Sequence, residues 1–246
     1  MNNQATVQTF QELRLPGMKN AFSAYLETST TFTPDELVAH LTQAEIEHRQ
    51  QLRLRRLTEA AQFHYHAVLP EIDFAPQRGL DKNLLLRLAQ GTFIRQHENL
   101  LLTGPTGVGK SFIASAIGHQ ACLLGYKTLY FNTRKLFHLL NAALADNSYL
   151  KILEKIARQD LLILDDFGLQ PLDGPARQAL LEIIEDRHQH KSTLIASQLP
   201  VRDWHAIIGQ SAIADAVLDR IAHAAHRIEL KGESLRKNKP NSENPL

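Results

Sequence analysis

The chain has 246 residues, 43% hydrophobic and 22% charged, with a formal net charge of +1 and a single cysteine, Cys122. These values describe a globular chain long enough for one α/β core and a smaller appendage. They exclude an internal disulfide and supply no bulk attraction to nucleic acid, so any DNA contact must come from local clusters.

No apolar run approaches the roughly 20 residues of a membrane helix. The first residues, MNNQATVQTF, lack the basic and apolar regions of a secretion signal. A reducing, cytoplasmic location without a membrane partner is expected.

In chain order, residues 1–66 read as a small helical domain. After Leu15-Pro16-Gly17 the run MKNAFSAYLE predicts a short helix. Thr33-Pro34-Asp35-Glu36 then reads as a helix start, with Thr33 as cap, Pro34 in the first turn and Glu36 reaching back to close a capping box. The helix is predicted to run to about Ala61, with Leu37, Leu41, Ala44 and His48 at helical spacing. Residues 67–80, with two prolines and a glycine, are expected to be a linker. A helix from Asp81 to about Gln96 leads into the main domain, residues 81–236.

From Asn99 the rhythm changes to short apolar runs (NLLLT, KTLYF, DLLILD, STLIAS) separated by helical segments, with RIEL as a further candidate strand. This alternation predicts a parallel sheet flanked by helices. The polar tail 237–246 is expected to be disordered.

Gly104-Pro105-Thr106-Gly107-Val108-Gly109-Lys110-Ser111 matches the phosphate-loop pattern in full, after a predicted strand and before a predicted helix. Glycines let backbone amides turn toward phosphates, and the helix start adds its positive end. Lys110 is expected to reach the β- and γ-phosphates of a nucleoside triphosphate, and Ser111 to hold Mg²⁺. DLLILDDFG ends a strand in two carboxylates; Asp165 is the natural second partner of that Mg²⁺, and Asp166 stands where many ATPases polarise the attacking water. Asp166 is shorter than the glutamate many ATPases place there, so slow hydrolysis is expected; a turnover well above the median enzyme's roughly 10 per second would contradict it. Gln198, after STLIAS, suits either a γ-phosphate contact or a loop hydrogen bond. Arg220, beside Asp219, reads as an inserted finger or as half of a local salt bridge.

Together GPTGVGKS, LLILDDFG, TLIASQLP and LDRIAHAAHRIELKGESLR resemble the AAA+ ATPases of the DnaC and IstB kind, bacterial helicase loaders and ATP-binding helpers of insertion-sequence transposition. HRIELKGESLR and LRLPGMKNAFSAYLE are closer to the IstB pattern. The resemblance implies an AAA+ domain preceded by a helical domain, with no C-terminal lid. It implies that Asp166 is usual for the group, that Gln198 is at the sensor position where loaders commonly carry asparagine, and that Arg220 completes a neighbouring subunit's site. Self-association follows from such a finger. Arg236 is implied as a second γ-phosphate sensor.

Arg49, Arg53 and Arg56 line one face of the predicted long helix and suit DNA phosphates, although Glu45 four residues before Arg49 equally suits an ion-paired, solvated face. Arg134 and Lys135 at a helix start are a second candidate, and the basic residues Lys231, Arg236, Lys237 and Lys239 a third. His64 and His66 in FHYH lack a third metal ligand. The resemblance implies binding of duplex DNA with little sequence preference and a transposase partner. A replicative helicase loader and a small-molecule kinase remain the alternatives. The carboxylates form no spaced trio of a DDE nuclease, so strand cutting is not expected.

Overall fold

The computed structural model describes residues 3–28, 31–223 and 225–235. The chain divides into two compact units, Met1–Arg56 and Leu57–Leu246, with the division falling inside one long helix.

The first unit is built from α1 (Asn3–Glu12), α2 (Pro16–Glu27) and most of α3 (Pro34–Ala61). The capping box at the start of α3 is formed: the Thr33 amide and hydroxyl each donate to Glu36 Oε2 at 2.8 Å, and the Glu36 amide donates back to Thr33 Oγ1 at 3.4 Å. Helices α2 and α3 pack backbone to backbone at Gly17, where a Cβ would lie 2.5 Å from the Ala44 carbonyl oxygen. Glu45 is buried there and accepts from the Gly17 and Met18 amides at 2.7 and 3.2 Å and from Arg49 Nε at 2.7 Å. A carboxylate at those orphan donors of a helix N-terminus is favourable. Burial opposes ionisation of Glu45, but the Arg49 guanidinium and the two amides hold its carboxyl below the ordinary range. An aromatic series, Phe10–Phe22–Tyr25–Phe32–His40, joins the three helices at ring spacings of 5.9, 6.4, 5.6 and 5.3 Å.

The second unit holds a five-stranded parallel sheet of β1 (Asn99–Thr103), β2 (Thr128–Asn132), β3 (Leu161–Phe167), β4 (Ser192–Ser197) and β5 (Ala225–Glu229) in the order β2-β3-β4-β1-β5. Side chains alternate between its faces. Leu100, Leu102, Leu161, Ile163, Leu194 and Ala196 face α6 (Lys110–Leu123). Leu101, Leu162, Leu164 and Ile195 face the layer of α7 (Thr133–Ala145), α8 (Tyr149–Ala157), α9 (Gly174–Arg187), α10 (Trp204–Ile208) and α11 (Ser211–Ala222). Helix α6 presses on the sheet so closely that a Cβ on Gly118 would meet Ile163 at 2.7 Å and Phe63 at 2.5 Å. The fully buried Arg187 ties α8, α9 and β4 together by donating to the carbonyls of Ile156, Gln159 and Ser192 and to Thr193 Oγ1.

Three sequence expectations differ from the structure. The helix expected over 81–96 is two, α4 (Lys82–Ala89) and α5 (Thr92–Arg95), because Gly91 is left-handed at φ +72° between them. Asp81 caps the first by accepting from the amides of Asn83 and Leu84. Residues 67–80 are not a free linker: Ala67, Ile72 and Leu80 enter the core, and two short 3-10 turns at Leu69–Glu71 and Pro76–Arg78 absorb the prolines. The strand expected at RIEL begins two residues earlier, at Ala225. After β5, residues 230–235 run as a strap against the β1–α6 loop, with no further strand or full helix among the described residues.

Candidate functional site

The loop from Gly104 to Ser111 joins β1 to the start of α6 at the carboxyl edge of the sheet, where open α/β sheets bind ligands. Gly104, Gly107 and Gly109 have φ of +145°, +83° and +93°. Two of these positions are closed to any side chain. A Cβ on Gly104 would lie 2.4 Å from the Leu230 carbonyl oxygen, and one on Gly107 would lie 2.1 Å from Ser234 Oγ. The strap is pinned there by bonds from the Leu230 amide to Thr103 O and the Leu235 amide to Gly107 O, at 2.8 and 3.0 Å.

Lys110 is buried at the first turn of α6, and its ammonium donates to the Gly104 and Pro105 carbonyls at 2.7 Å each. Thr106 Oγ1 donates to Gln198 Oε1 at 2.6 Å, so the residue after β4 touches the loop itself. Arg78, only 6% exposed, braces the other side: Nη2 donates to the Val108 carbonyl at 2.7 Å and Nη1 to the Asp73 carbonyl.

At the end of β3 the pairing with β4 slips. Leu164 pairs with Ile195, but Phe167 pairs with Ser197, leaving two residues opposite one. Those two are Asp165 and Asp166. The bulge is completed by a left-handed Asp166 at φ +55°, a conformation that an aspartate tolerates better than most residues. Without it the alternation of a strand would send the second carboxylate to the opposite face. Asp166 accepts from Asn132 Nδ2 at 2.8 Å, and Asn132 also caps α7 by accepting from the Lys135 amide at 3.3 Å.

Asp165 is 1% exposed. Its Oδ2 accepts from the Tyr130 hydroxyl, its carbonyl accepts from Thr133 Oγ1 at 2.7 Å, and its Oδ1 is buried without a hydrogen-bond partner. Burial, and next the Asp165 charge, push the Tyr130 phenol far above its ordinary pKa, so it remains a donor. An orphaned carboxylate oxygen is what a cation would satisfy. Asp165 therefore fits a cation such as Mg²⁺, and Ser111, at the start of α6, is the residue that would hold it from the loop side. The residues present fit a nucleotide as well. A cavity of about 440 Å³ is lined by Gly107, Gly109, Lys110, Ser111, Asp166 and Gln198, a volume within the usual range for ligand sites.

Sequence reasoning did not anticipate the other wall of that cavity, formed by Tyr65, Ile72, Asp73, Arg78, Phe112 and Leu235. The FHYH run was its one visible trace: Phe63 packs on Gly118, His64 against Tyr130 and Tyr65 against Phe112.

The remaining candidates among the described residues do not line that cavity. Arg220 on α11 is paired with Glu185 of α9 at 3.0 Å, not with Asp219, and also donates to the Ala216 carbonyl. Arg236 lies outside the described residues, as do Lys237 and Lys239. Arg49, Arg53 and Arg56 are all exposed on α3, and Arg49 also pairs with Glu45 in the packing of α2 on α3. Arg134 and Lys135 are exposed at the start of α7. Among the described residues no cluster of three metal-ligating side chains occurs, and no helix is long and apolar enough to cross a membrane.

A parallel β2-β3-β4-β1-β5 sheet with a phosphate loop after its β1 strand, an acidic pair ending β3 and a polar residue ending β4 defines a nucleotide-binding protein of the P-loop class. The family model described as IstB-like ATP binding protein matches residues 8–243, and the chain belongs to that family. It is 42% identical over 235 residues to an insertion sequence ATP-binding protein of Sinorhizobium fredii, covering 95% of this chain and 96% of that one. It is 44% identical over 203 residues to the IS1162 ATP-binding protein of Pseudomonas fluorescens, covering 81% and 88%. The fold is similar to that of the DnaC helicase loader, with a TM-score of 0.52 at 21% identity over 72% of this chain and 99% of that one.

Proposed function

We propose that this protein is an ATP-dependent helper of a transposase, which assembles on duplex DNA in the ATP-bound state and is reset by hydrolysis. The observation that carries the reading is the convergence of Lys110, Ser111, Asp166 and Gln198 on one cavity in a member of an insertion-sequence ATP-binding family.

In this reading ATP lies along the Gly104–Ser111 loop. Lys110 exchanges its two carbonyl partners for phosphate oxygens, and the loop amides receive the rest of the charge. Ser111 and Asp165 would hold Mg²⁺, whose charge would offset that of the β- and γ-phosphates. Asp166, fixed in direction by its left-handed backbone and by Asn132, orients the attacking water and takes its proton. The water oxygen bonds to the γ-phosphorus as the bond to the β–γ bridging oxygen breaks, leaving ADP and phosphate. Gln198, joined to Thr106, sits where loss of the γ-phosphate changes the loop's partners. Arg220 completes the site of a neighbouring subunit after leaving Glu185, which ties hydrolysis to assembly. Arg53, Arg56, Arg134 and Lys135 supply the phosphate contacts on DNA.

The test is fluorescence anisotropy of a labelled duplex of ~50 bp, long enough for several turns of the groove. The protein is titrated with ATP, a slowly hydrolysed analogue, ADP or no nucleotide, with unlabelled single strand as competitor. Tight binding only with triphosphate, resistant to the competitor and lost in Lys110→Ala, is expected. Binding that single strand removes supports a helicase-loader role instead. Absence of binding in every nucleotide state refutes DNA assembly.

A further inference from the structure

We propose that Tyr130 is a positioning residue for the metal-holding carboxylate: its hydroxyl occupies Asp165 Oδ2 and leaves Oδ1 as the one oxygen available to nucleotide-bound Mg²⁺. This rests on the reading of Asp165 as a metal partner.

Strand register brings the pair together. Asn132 lies opposite Asp165 across β2 and β3, so Tyr130, two residues earlier, projects from the same face one pleat away. From there the long phenol spans the diagonal that a shorter side chain cannot. The ring itself is confined. It is 6% exposed and lies nearly parallel to His64, with planes 11° apart and centroids at 6.4 Å. His64 is in turn held edge-on by Tyr65 at 4.4 Å.

The consequence for Asp165 is a carboxylate held at one oxygen. Thr133 Oγ1 holds its carbonyl, Tyr130 holds Oδ2, and only Oδ1 is without a partner. A carboxylate free to turn offers either oxygen, or both together, to a cation. One oxygen in a fixed place suits Mg²⁺, which demands near-ideal octahedral geometry with one or two carboxylates beside substrate phosphates. Hydrogen bonds that orient a metal-holding carboxylate commonly carry 10–100-fold in metal affinity. Tyr130 is thereby assigned a role in metal loading that no contact with nucleotide is needed to explain.

The experiment follows binding of a fluorescent, non-hydrolysed ATP analogue while Mg²⁺ is raised from EDTA conditions. Wild type, Tyr130→Phe, His64→Ala and Asp165→Asn are compared. Wild type and Tyr130→Phe are expected to bind the analogue equally in EDTA. The Mg²⁺ needed for half-maximal tightening is expected to rise about tenfold in Tyr130→Phe. His64→Ala leaves the hydroxyl but loosens the ring, and a rise of about threefold is expected. Asp165→Asn is expected to lose the Mg²⁺ response. If Asp165→Asn loses it while Tyr130→Phe and His64→Ala match wild type, the role of Tyr130 is overturned and the site reading stands. If Asp165→Asn keeps the wild-type response, the reading of Asp165 falls and takes the inference with it.

Discussion

Gly107→Ala tests the contact between the strap and the phosphate loop. The added Cβ meets two separate obstacles. Backbone at φ +83° costs a residue other than glycine about 1–2 kcal/mol. The Cβ would also lie 2.1 Å from Ser234 Oγ, 2.7 Å from its Cβ and 3.2 Å from its Cα. Rotation of the serine relieves the first contact, but the other two require the strap to move, an overpacking cost of about 1–3 kcal/mol. A combined penalty of about 3 kcal/mol on the binding-competent loop corresponds to roughly a hundredfold loss of nucleotide affinity. The assay is equilibrium titration of a fluorescent ATP analogue, with thermal melting of the same samples. Ser234→Gly on its own is expected to bind within threefold of wild type. Added to Gly107→Ala, it removes the Oγ and Cβ contacts and leaves the backbone share and the 3.2 Å approach to Cα, so affinity should recover about tenfold. Binding by Gly107→Ala within threefold of wild type, or no recovery in the double variant, refutes the reasoning.

Asp166→Asn keeps an acceptor for Asn132 and a residue that tolerates the left-handed region, so its melting temperature should stay within about 2 °C of wild type. Its hydrolysis should fall at least a hundredfold with nucleotide affinity retained; single-turnover measurement beside a binding titration checks both. Arg187→Met strips the donors from three carbonyls and should cost about 3 kcal/mol in urea unfolding of the second unit. The ionised Glu45 stabilises the first unit because its folded pKa lies below the ordinary 4.5. That contribution is complete above the unfolded value and is lost as pH falls through the folded one. Wild type should therefore melt above Glu45→Gln at pH 7 and lose that advantage progressively below about pH 4.5; a pH-independent difference contradicts the assignment.

The strands and the phosphate loop were legible because their signals are local: short apolar runs, a glycine pattern and a lysine in consecutive positions. Thr33 and Glu36 were legible for the same reason, since both halves of a capping box lie within one turn. The second wall of the cavity was not. Prolines in 67–80 read as a linker, but they shape two turns that carry Ile72 and Arg78 to the loop across some thirty residues of chain. Likewise, DLLILDDF shows two adjacent aspartates and no bulge. The slip arises from pairing with β4 and from the left-handed backbone of Asp166, and neither is written in the neighbouring residues. Arg220 shows the opposite limit: its partner Glu185 lies on another helix, where helical spacing could not point to it.

The order of the sheet also sets a timetable for the newly made chain. β1 pairs with β4 on one side and β5 on the other, and both strands are synthesised long after it. The loop that follows β1 is then closed by residues 230–235, later still. A ribosome-bound fragment ending before β5 carries the whole glycine pattern and β4 but lacks the second flanking strand and the cover. Pairings this distant form slowly and late. Nucleotide capture should thus begin only when β5 has emerged, so that unfinished copies do not hold ATP.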